Sequence, residues 1–481
     1  MSKNKKKPGY LLLLLVILAG FVLQSWKINQ QPIEEWDEAR RGINALGMLS
    51  RGDYLNYYFL DEMDTFNSKP PLTVWLIALN FKIFGVTNFA LRFHSILAIY
   101  LFLLFFARIV LLYRDEYYAA LVIGILISVQ GIIGFHVGRT GDTDSLLLLF
   151  LTAFIYFFLK YWDFSKKWAL YIAAIFFGLA FYTKSVAAFI PVPGVLAYIL
   201  ITRGTKKLFN KELIISVLIA FSIILSWAFL SAKGVDDNRT HLTLWERIFS
   251  VDLYRRFTDR EFEAGYDPFY IFHVLDMNFN IWNYILYLGG IIGLYRIIKR
   301  KTRESLRKNR LILFSLSIIC SYVVILTVSM NKHQWYLAPA LPFFAVLIVE
   351  FIYFLKEKTW MVVPASFVLS VILIAFRFYE FNNPDRSVPE FFEQHHEVIE
   401  KAEVIYIDSK VSQDIVFECI KWNYKSATLT NEIQDLQYTQ LYLGPSYSSQ
   451  SGIIKEEIQG YYFCYNPCIS IDDNTMHHSA Q

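Results

Sequence analysis

Apolar residues along this chain fall in long runs, separated by short polar clusters. The first run extends from Tyr10 to about Trp26. Others follow near Phe89 to Leu112, Ala119 to Phe135, Ser145 to Tyr161, Trp168 to Tyr182, Val186 to Ile201, Leu213 to Ser231, Ile281 to Tyr295, Leu311 to Val328, Trp335 to Leu355 and Trp360 to Phe376. A helix needs about twenty apolar residues to cross the hydrocarbon core of a bilayer, so the pattern predicts an α-helical polytopic membrane protein with about eleven transmembrane helices. Lys3, Lys5, Lys6 and Lys7 precede the first run, and no small-x-small cleavage pattern clearly follows it. That favours a retained first helix over a removed signal peptide, with the N-terminus in the cytoplasm.

Alternation from a cytoplasmic start puts every strongly basic short loop on one side. These are Arg114, the group Lys160, Lys166 and Lys167, the group Arg203, Lys206, Lys207 and Lys211, the cluster Arg296 to Arg310, and Lys356 with Lys358. This is the charge bias that fixes orientation in a membrane. Five polar segments then lie outside: Lys27 to Asn88, His136 to Asp144, Thr183 to Ser185, Ala232 to Asn280 and Ser329 to Gln334. The pattern divides the chain into a transmembrane unit, 1–376, and an extracytoplasmic tail, 377–481. In the tail, Val404 to Ile407, Gln440 to Leu443 and Tyr461 to Phe463 read as strands and Pro389 to Ala402 as a helix, which predicts a small α/β domain.

Composition supports the membrane class, with 55% hydrophobic and 17% aromatic residues, and a net charge of +4 gives no argument for a nucleic-acid partner. Cys320 lies in an apolar run and reads as a small buried residue. Cys464 and Cys468 are placed to pair if the tail is outside, leaving Cys419 odd.

Chemistry concentrates in the first outer loop. Pro32 precedes Glu34, Glu35, Trp36 and Asp37, and Ile43, Leu46 and Leu49 follow at three-residue spacing. That predicts a short amphipathic helix at the membrane surface, with Asp37 near its start, where the helix dipole favours an ionised carboxylate. Such a carboxylate can accept the proton of an attacking hydroxyl. Glu38 and Arg40 accompany it as candidate substrate contacts, as does Arg139 in the next outer segment; read blandly, Asp37, Glu38, Arg40 and Arg41 are a set of surface ion pairs at helical spacing. Lys69 precedes Pro70 and Pro71, which hold the backbone extended, so its ammonium is placed to meet a phosphate at headgroup level or simply to snorkel.

The other outer segments add cations and carboxylates. Arg139 leads into Asp142-Thr143-Asp144, which reads either as a helix cap or as a pair of carboxylates able to bind Mg²⁺ or Mn²⁺. Lys184 interrupts two apolar stretches at an outer hairpin, and a charge there needs the interface or a partner. Tyr266 lies in the long loop from Ala232 to Asn280; a loop of that length is usually functional or mobile, and substrate contacts are expected somewhere within it. Lys332 and His333 precede Trp335 and Tyr336, residues typical of an interfacial belt.

Asp37-Glu38-Ala39-Arg40 after a first membrane helix, then Lys69-Pro70-Pro71-Leu72 and Trp75-Leu76, resembles the first periplasmic loop of bacterial transferases related to lipid A aminoarabinose transferase. These share the GT-C fold with the protein O-mannosyltransferases. The resemblance covers about the first three quarters of the chain. It implies a glycosyltransferase that moves a sugar from a polyprenyl-phosphate donor to a lipid, glycan or protein acceptor, outside the cytoplasmic (inner) membrane of a bacterium. It also implies that Asp37 is the catalytic base, that Asp144 matches the second acidic motif, that Lys184 lies near the donor phosphate, and that the segment Asn331 to Tyr336 belongs to the site. Arg41 stands where relatives often carry an aromatic residue, and Asp61-Glu62-Met63-Asp64 is an added acidic group, so the resemblance does not extend to a particular acceptor. The rival from another class is a transporter or flippase for an anionic lipid, which would place ionisable residues near the midplane.

Overall fold

The computed structural model describes residues 7–64, 69–134, 136–203, 210–231, 254, 267, 269–298, 309–330, 332–356, 361–382, 384–430, 436–437, 439–446 and 453–465. Helix α1 (Lys7–Ser25) starts the chain, and the amphipathic α2 (Asp37–Arg51) and apolar α3 (Leu72–Phe84) follow on either side of a small hairpin, β1 (Tyr58–Phe59) and β2 (Glu62–Met63). The bundle continues with α4 (Asn88–Leu111), α5 (Glu116–Ser128), the single turn α6 (Gln130–Ile133), α7 (Asp144–Trp162), α8 (Lys167–Lys184), α9 (Val192–Arg203) and α10 (Lys211–Ser231). It is completed by α11 (Tyr270–Phe279), α12 (Trp282–Ile298), α13 (Arg310–Val328), α14 (Leu341–Lys356) and α15 (Val362–Glu380).

Among the described residues, seven helices are long and apolar enough to cross a membrane, and Leu72–Phe84, Glu116–Ser128 and Val192–Thr202 are shorter apolar helices. The run from Ala119 to Phe135 is not one continuous helix: it breaks at Val129, whose extended backbone (φ −90°, ψ 124°) separates α5 from α6. The run beginning at Trp335 opens as a 3-10 helix, Gln334–Ala340, because Pro339 has no N–H to donate. Helix α15 continues to Glu380, past the boundary read after residue 376. Cys320 is exposed rather than buried, on the outward side of α13.

The tail forms the expected α/β unit. Helices α16 (Ser387–Gln394) and α17 (His396–Lys401) replace the single expected helix, with the break at His395. Strands β3 (Val404–Asp408), β4 (Ala427–Thr430), β5 (Gln440–Gly444), β6 (Ile454–Ile458) and β7 (Tyr461–Tyr465) form a sheet in the order β4-β3-β5-β7-β6. The first three are parallel and the last two antiparallel to their neighbours. Helix α18 (Gln413–Ile420) makes the crossover from β3 to β4 that parallel pairing requires. Cys419 and Cys464 are free and buried; Cys468 lies outside the described residues, and with it the Cys464–Cys468 pairing.

Two cores result. One fills the helical bundle around Phe102, Phe106, Ile123 and Val346. The other is continuous from the outer helices to the sheet: Ala39, Ile43 and Leu46 of α2 and Val74, Ile77 and Phe81 of α3 pack with Phe392, Ile405, Phe417 and Leu443 of the tail. Phe81 and Phe417 lie ring on ring, with centroids 6.3 Å apart. The tail therefore buries apolar area jointly with the helix that carries Asp37.

Candidate active site

Asp37 is the first residue of α2. Trp36 before it turns the chain with φ 66° and ψ −95°, a region that residues other than glycine seldom adopt. The Asp37 side chain remains 47% exposed. One helical turn on, the buried Arg41 places Nη2 3.6 Å from Asp37 Oδ1 and 2.8 Å from Asp142 Oδ1. His136 completes the group, its Nδ1 2.5 Å from Asp142 Oδ2 and 4.0 Å from Asp37 Oδ2. Carboxylates and cations thus alternate, and each cation reaches both acids.

The electrostatics follow from this alternation. Burial would raise the Asp142 pKa, yet Arg41 and the hydrogen bond to His136 hold it well below the usual carboxylate range. Burial would lower that of His136, yet the hydrogen bond to Asp142 and the charges of Asp142, Asp144 and Asp37 raise it.

A second pair lies beside the first. Lys184, the last residue of α8, donates to Oδ2 of Asp144, the first residue of α7, at 2.5 Å. Its ammonium also sits 5.1 Å from the centre of the Tyr336 ring, an aromatic face that favours a cation. His136 stacks on Trp335 with centroids 3.6 Å apart, and His333 stacks on Trp335 at 4.5 Å. Trp335 in turn lines a small open cleft with Gln130, Gly131, Met277, Asn278 and Gln334. Lys332 is buried, its Nζ 3.5 Å from the Asp267 carbonyl oxygen and 4.9 Å from the Tyr270 ring centre. Lys69 is half-buried, and its carbonyl accepts from the Tyr57 hydroxyl at 2.8 Å.

Three expected substrate contacts are engaged elsewhere. Glu38 is buried, and its carboxylate accepts four hydrogen bonds: Arg92 Nε and Nη2 and the Gly141 N–H, each at 2.6 Å, and the Glu34 N–H at 2.8 Å. No lone pair is left for a substrate. Arg40 grips Asp64 with both ends of its fork, at 2.8 and 2.6 Å, which accounts for one acid of the added acidic group. Arg139 closes the end of α1 by donating to the carbonyls of Leu23, Gln24 and Trp26 and lies over the Phe381 ring. Orphan carbonyls at a helix C-terminus need such a donor. Tyr266 lies outside the described residues.

Asp142 and Asp144 do not share an oxygen face: the first turns to Arg41 and His136, the second to Lys184. An oxygen-lined Mg²⁺ or Mn²⁺ site between them does not match that arrangement. Among the described residues, Asp37, His136 and Asp142 are grouped with ligand-type atoms within 4.8 Å of one another, but Arg41 already occupies one Asp142 oxygen.

The sequence motifs single out neither His136 nor Arg92, and Arg41 only as a member of the ion-pair set with Asp37 and as a departure from the resembled family. Arg92 had a signal, since a lone arginine inside an apolar run implies a partner. His136 had none, because its role depends on Asp142 and Trp335 folding onto it.

Comparison with known proteins agrees with this architecture. The family model described as dolichyl-phosphate-mannose-protein mannosyltransferase matches residues 68–229. An uncharacterized protein from Aquifex aeolicus is 25% identical over 75% of this chain and 68% of its own length. The undecaprenyl phosphate-alpha-4-amino-4-deoxy-L-arabinose arabinosyl transferase of Yersinia pestis is 26% identical over 73% of this chain, and the match spans 60% of that longer protein. In fold, the crystal structure of ArnT from Cupriavidus metallidurans bound to undecaprenyl phosphate superimposes with a TM-score of 0.68 at 13% identity, covering 89% of this chain and 86% of that one. The Archaeoglobus fulgidus oligosaccharyltransferase superimposes with a TM-score of 0.57 at 13% identity, covering 88% of this chain and 65% of the other.

Proposed function

We propose that this chain, a multi-pass membrane protein resembling the GT-C glycosyltransferases in sequence and fold, moves a sugar from a polyprenyl-phosphate donor to a lipid, glycan or protein acceptor. The reaction takes place on the extracytoplasmic face of the bacterial inner membrane, with the N-terminus in the cytoplasm and the tail outside. The observation that carries the reading is the half-exposed Asp37 backed by the Arg41–Asp142–His136 array. A carboxylate open to solvent, yet fixed by charge from behind, is suited to take a proton from an incoming hydroxyl or amine.

As the acceptor oxygen or nitrogen attacks the anomeric carbon, its proton passes to Asp37 and the bond from carbon to phosphate oxygen breaks. The polyprenyl phosphate leaves with the electron pair. Lys184, Lys69 and Lys332 are the cations assigned to that leaving charge; stabilising charge that develops in the transition state is what accelerates the step. Direct displacement inverts the anomeric centre. Side-chain cations, rather than a bound metal, neutralise the phosphate in this reading, because Asp142 and Asp144 are each already paired. The donor sugar is a hexose or a pentose, and the match to arabinosyl transferases makes an aminopentose the first to test. The site's ionisable residues gather at one end of the helices, and no comparison supports a transporter.

The test is transfer of label from synthetic polyprenyl-phosphate sugars into membrane glycans, lipids and proteins by purified wild-type enzyme and Asp37→Asn. Transfer by the wild type that disappears in a folded mutant is the expected result. Undiminished transfer by the mutant removes Asp37 from its role, and a product that keeps the donor's anomeric configuration removes direct displacement.

A further inference from the structure

The tail's α18 lies along the helix that carries Asp37 and touches it at two points one helical turn apart. At the first, Gln413 faces the turn before Asp37. With its amide set to satisfy both neighbours, its nitrogen donates to the Trp36 carbonyl at 3.1 Å and its oxygen accepts from Arg40 Nη1 at 3.0 Å. At the second, the fully buried Phe417 ring fills a notch in α2 left by Gly42. A methyl group added there would lie 2.5 Å from Phe417 Cε2, closer than real side chains come. Residues four apart on a helix share a face, so both contacts are made by one side of α18.

The clamp continues beyond these two points. Tyr424 donates to the Leu60 carbonyl at 2.9 Å, and Asp61 accepts from the Leu429 N–H at 3.0 Å and the Thr428 hydroxyl at 2.7 Å. The hairpin that holds Arg40 through Asp64 is therefore itself fixed to the sheet. Trp36, in its unusual backbone conformation, is held from inside α2 by the Arg40 N–H at 2.9 Å and from outside by Gln413.

We propose that Gln413 and Phe417 are positioning residues for Asp37, so that the extracytoplasmic tail sets the direction in which the base points. The inference rests on the reading of Asp37 as base. Neither residue is expected to touch the donor, so removing either one changes turnover and leaves the donor in place. Small misplacements of a reacting group cost much in rate because alignment is lost before binding is.

The experiment uses full-length purified protein with four changes: Gln413→Ala, Gly42→Ala, Phe417→Leu, and the last two combined. Two quantities are measured, kcat for sugar transfer from labelled donor into membrane acceptors, and the dissociation constant of undecaprenyl phosphate as probe. Gln413→Ala and Gly42→Ala are each expected to lower kcat about tenfold while the undecaprenyl phosphate dissociation constant stays unchanged. The combined variant, in which a smaller leucine side chain in place of the Phe417 ring makes room for the new methyl, should recover most of the loss, as coupled neighbours do in a mutant cycle. If kcat is unchanged in Gln413→Ala and Gly42→Ala, or if affinity for undecaprenyl phosphate falls in step with kcat, the positioning role is overturned while the reading of the enzyme stands. Failure of Phe417→Leu to rescue Gly42→Ala overturns the notch, and Gln413→Ala then decides the clamp at Trp36. Absence of transfer by the wild type from every donor overturns both the enzyme reading and this one.

Discussion

Asp37 keeps nearly half of its side chain in water while Arg41 and His136 approach it from the protein side. Replacing it with Asn leaves the shape and removes the proton acceptor, so transfer should fall about 10²- to 10⁴-fold, measured with labelled donor. His136 supplies the pH dependence. Its folded pKa is raised, so the charge it contributes is complete below the ordinary histidine value of about 6.5 and is lost as pH rises through the raised value. Asp142 has the opposite sign: its depressed pKa keeps it ionised until pH falls far below the usual carboxylate range. A profile of kcat/KM against pH should therefore show a basic limb, displaced upward from the ordinary histidine value, that disappears in His136→Gln. With each carboxylate of the Asp142–Asp144 pair already matched to a side-chain cation, exhaustive chelation should leave the transfer rate unchanged.

Among elements, the helix ends hold the site together. Glu38 and Arg92 join α2 to α4, and Arg92 spends its remaining donors on the carbonyls of Ile28, Gln31 and Pro32. Arg92→Met leaves Glu38 charged, buried and short of partners. It should cost about 3–5 kcal/mol of stability, read as a fall in the thermal midpoint of the purified protein. Gly194 lets α9 approach the backbone of α13 so closely that a methyl group would meet the Ser317 carbonyl oxygen at 2.5 Å. Small residues at membrane helix contacts allow such an approach. The amphipathic α2 was legible from the three-residue spacing of Ile43, Leu46 and Leu49, and Asp37 from its place at the head of that pattern. Glu38, Arg40 and Arg139 are charged residues with the same kind of neighbourhood in sequence as Asp37, Asp142 and Lys184. Only the fold shows that each is consumed by a brace, because its partner lies up to 116 residues away. Helix α3 was also not anticipated, since an apolar run of 13 residues is too short to declare itself as a span.

On the scale of the whole molecule, the bundle was readable from run length. The shared core of α2, α3 and the tail was not, because nothing in either stretch names the other as its partner. Orientation has a direct test. Gln459→Cys, on the exposed turn between β6 and β7, should react with a membrane-impermeant maleimide in intact spheroplasts, in a background lacking the exposed Cys320. A cysteine at Lys211 should react only after the membrane is opened. The shared core also bears on how the protein is made. The ribosome delivers Asp37 and α2 before most of the membrane helices, whereas Gln413 and Phe417 emerge only after them. A half-inserted chain therefore has its helix of Asp37 unsupported and its apolar face uncovered until the later-translated tail packs against it. Ribosome-arrested chains ending before Ser387 should already span the membrane yet transfer no sugar; transfer by such chains would show that the outer helices mature alone.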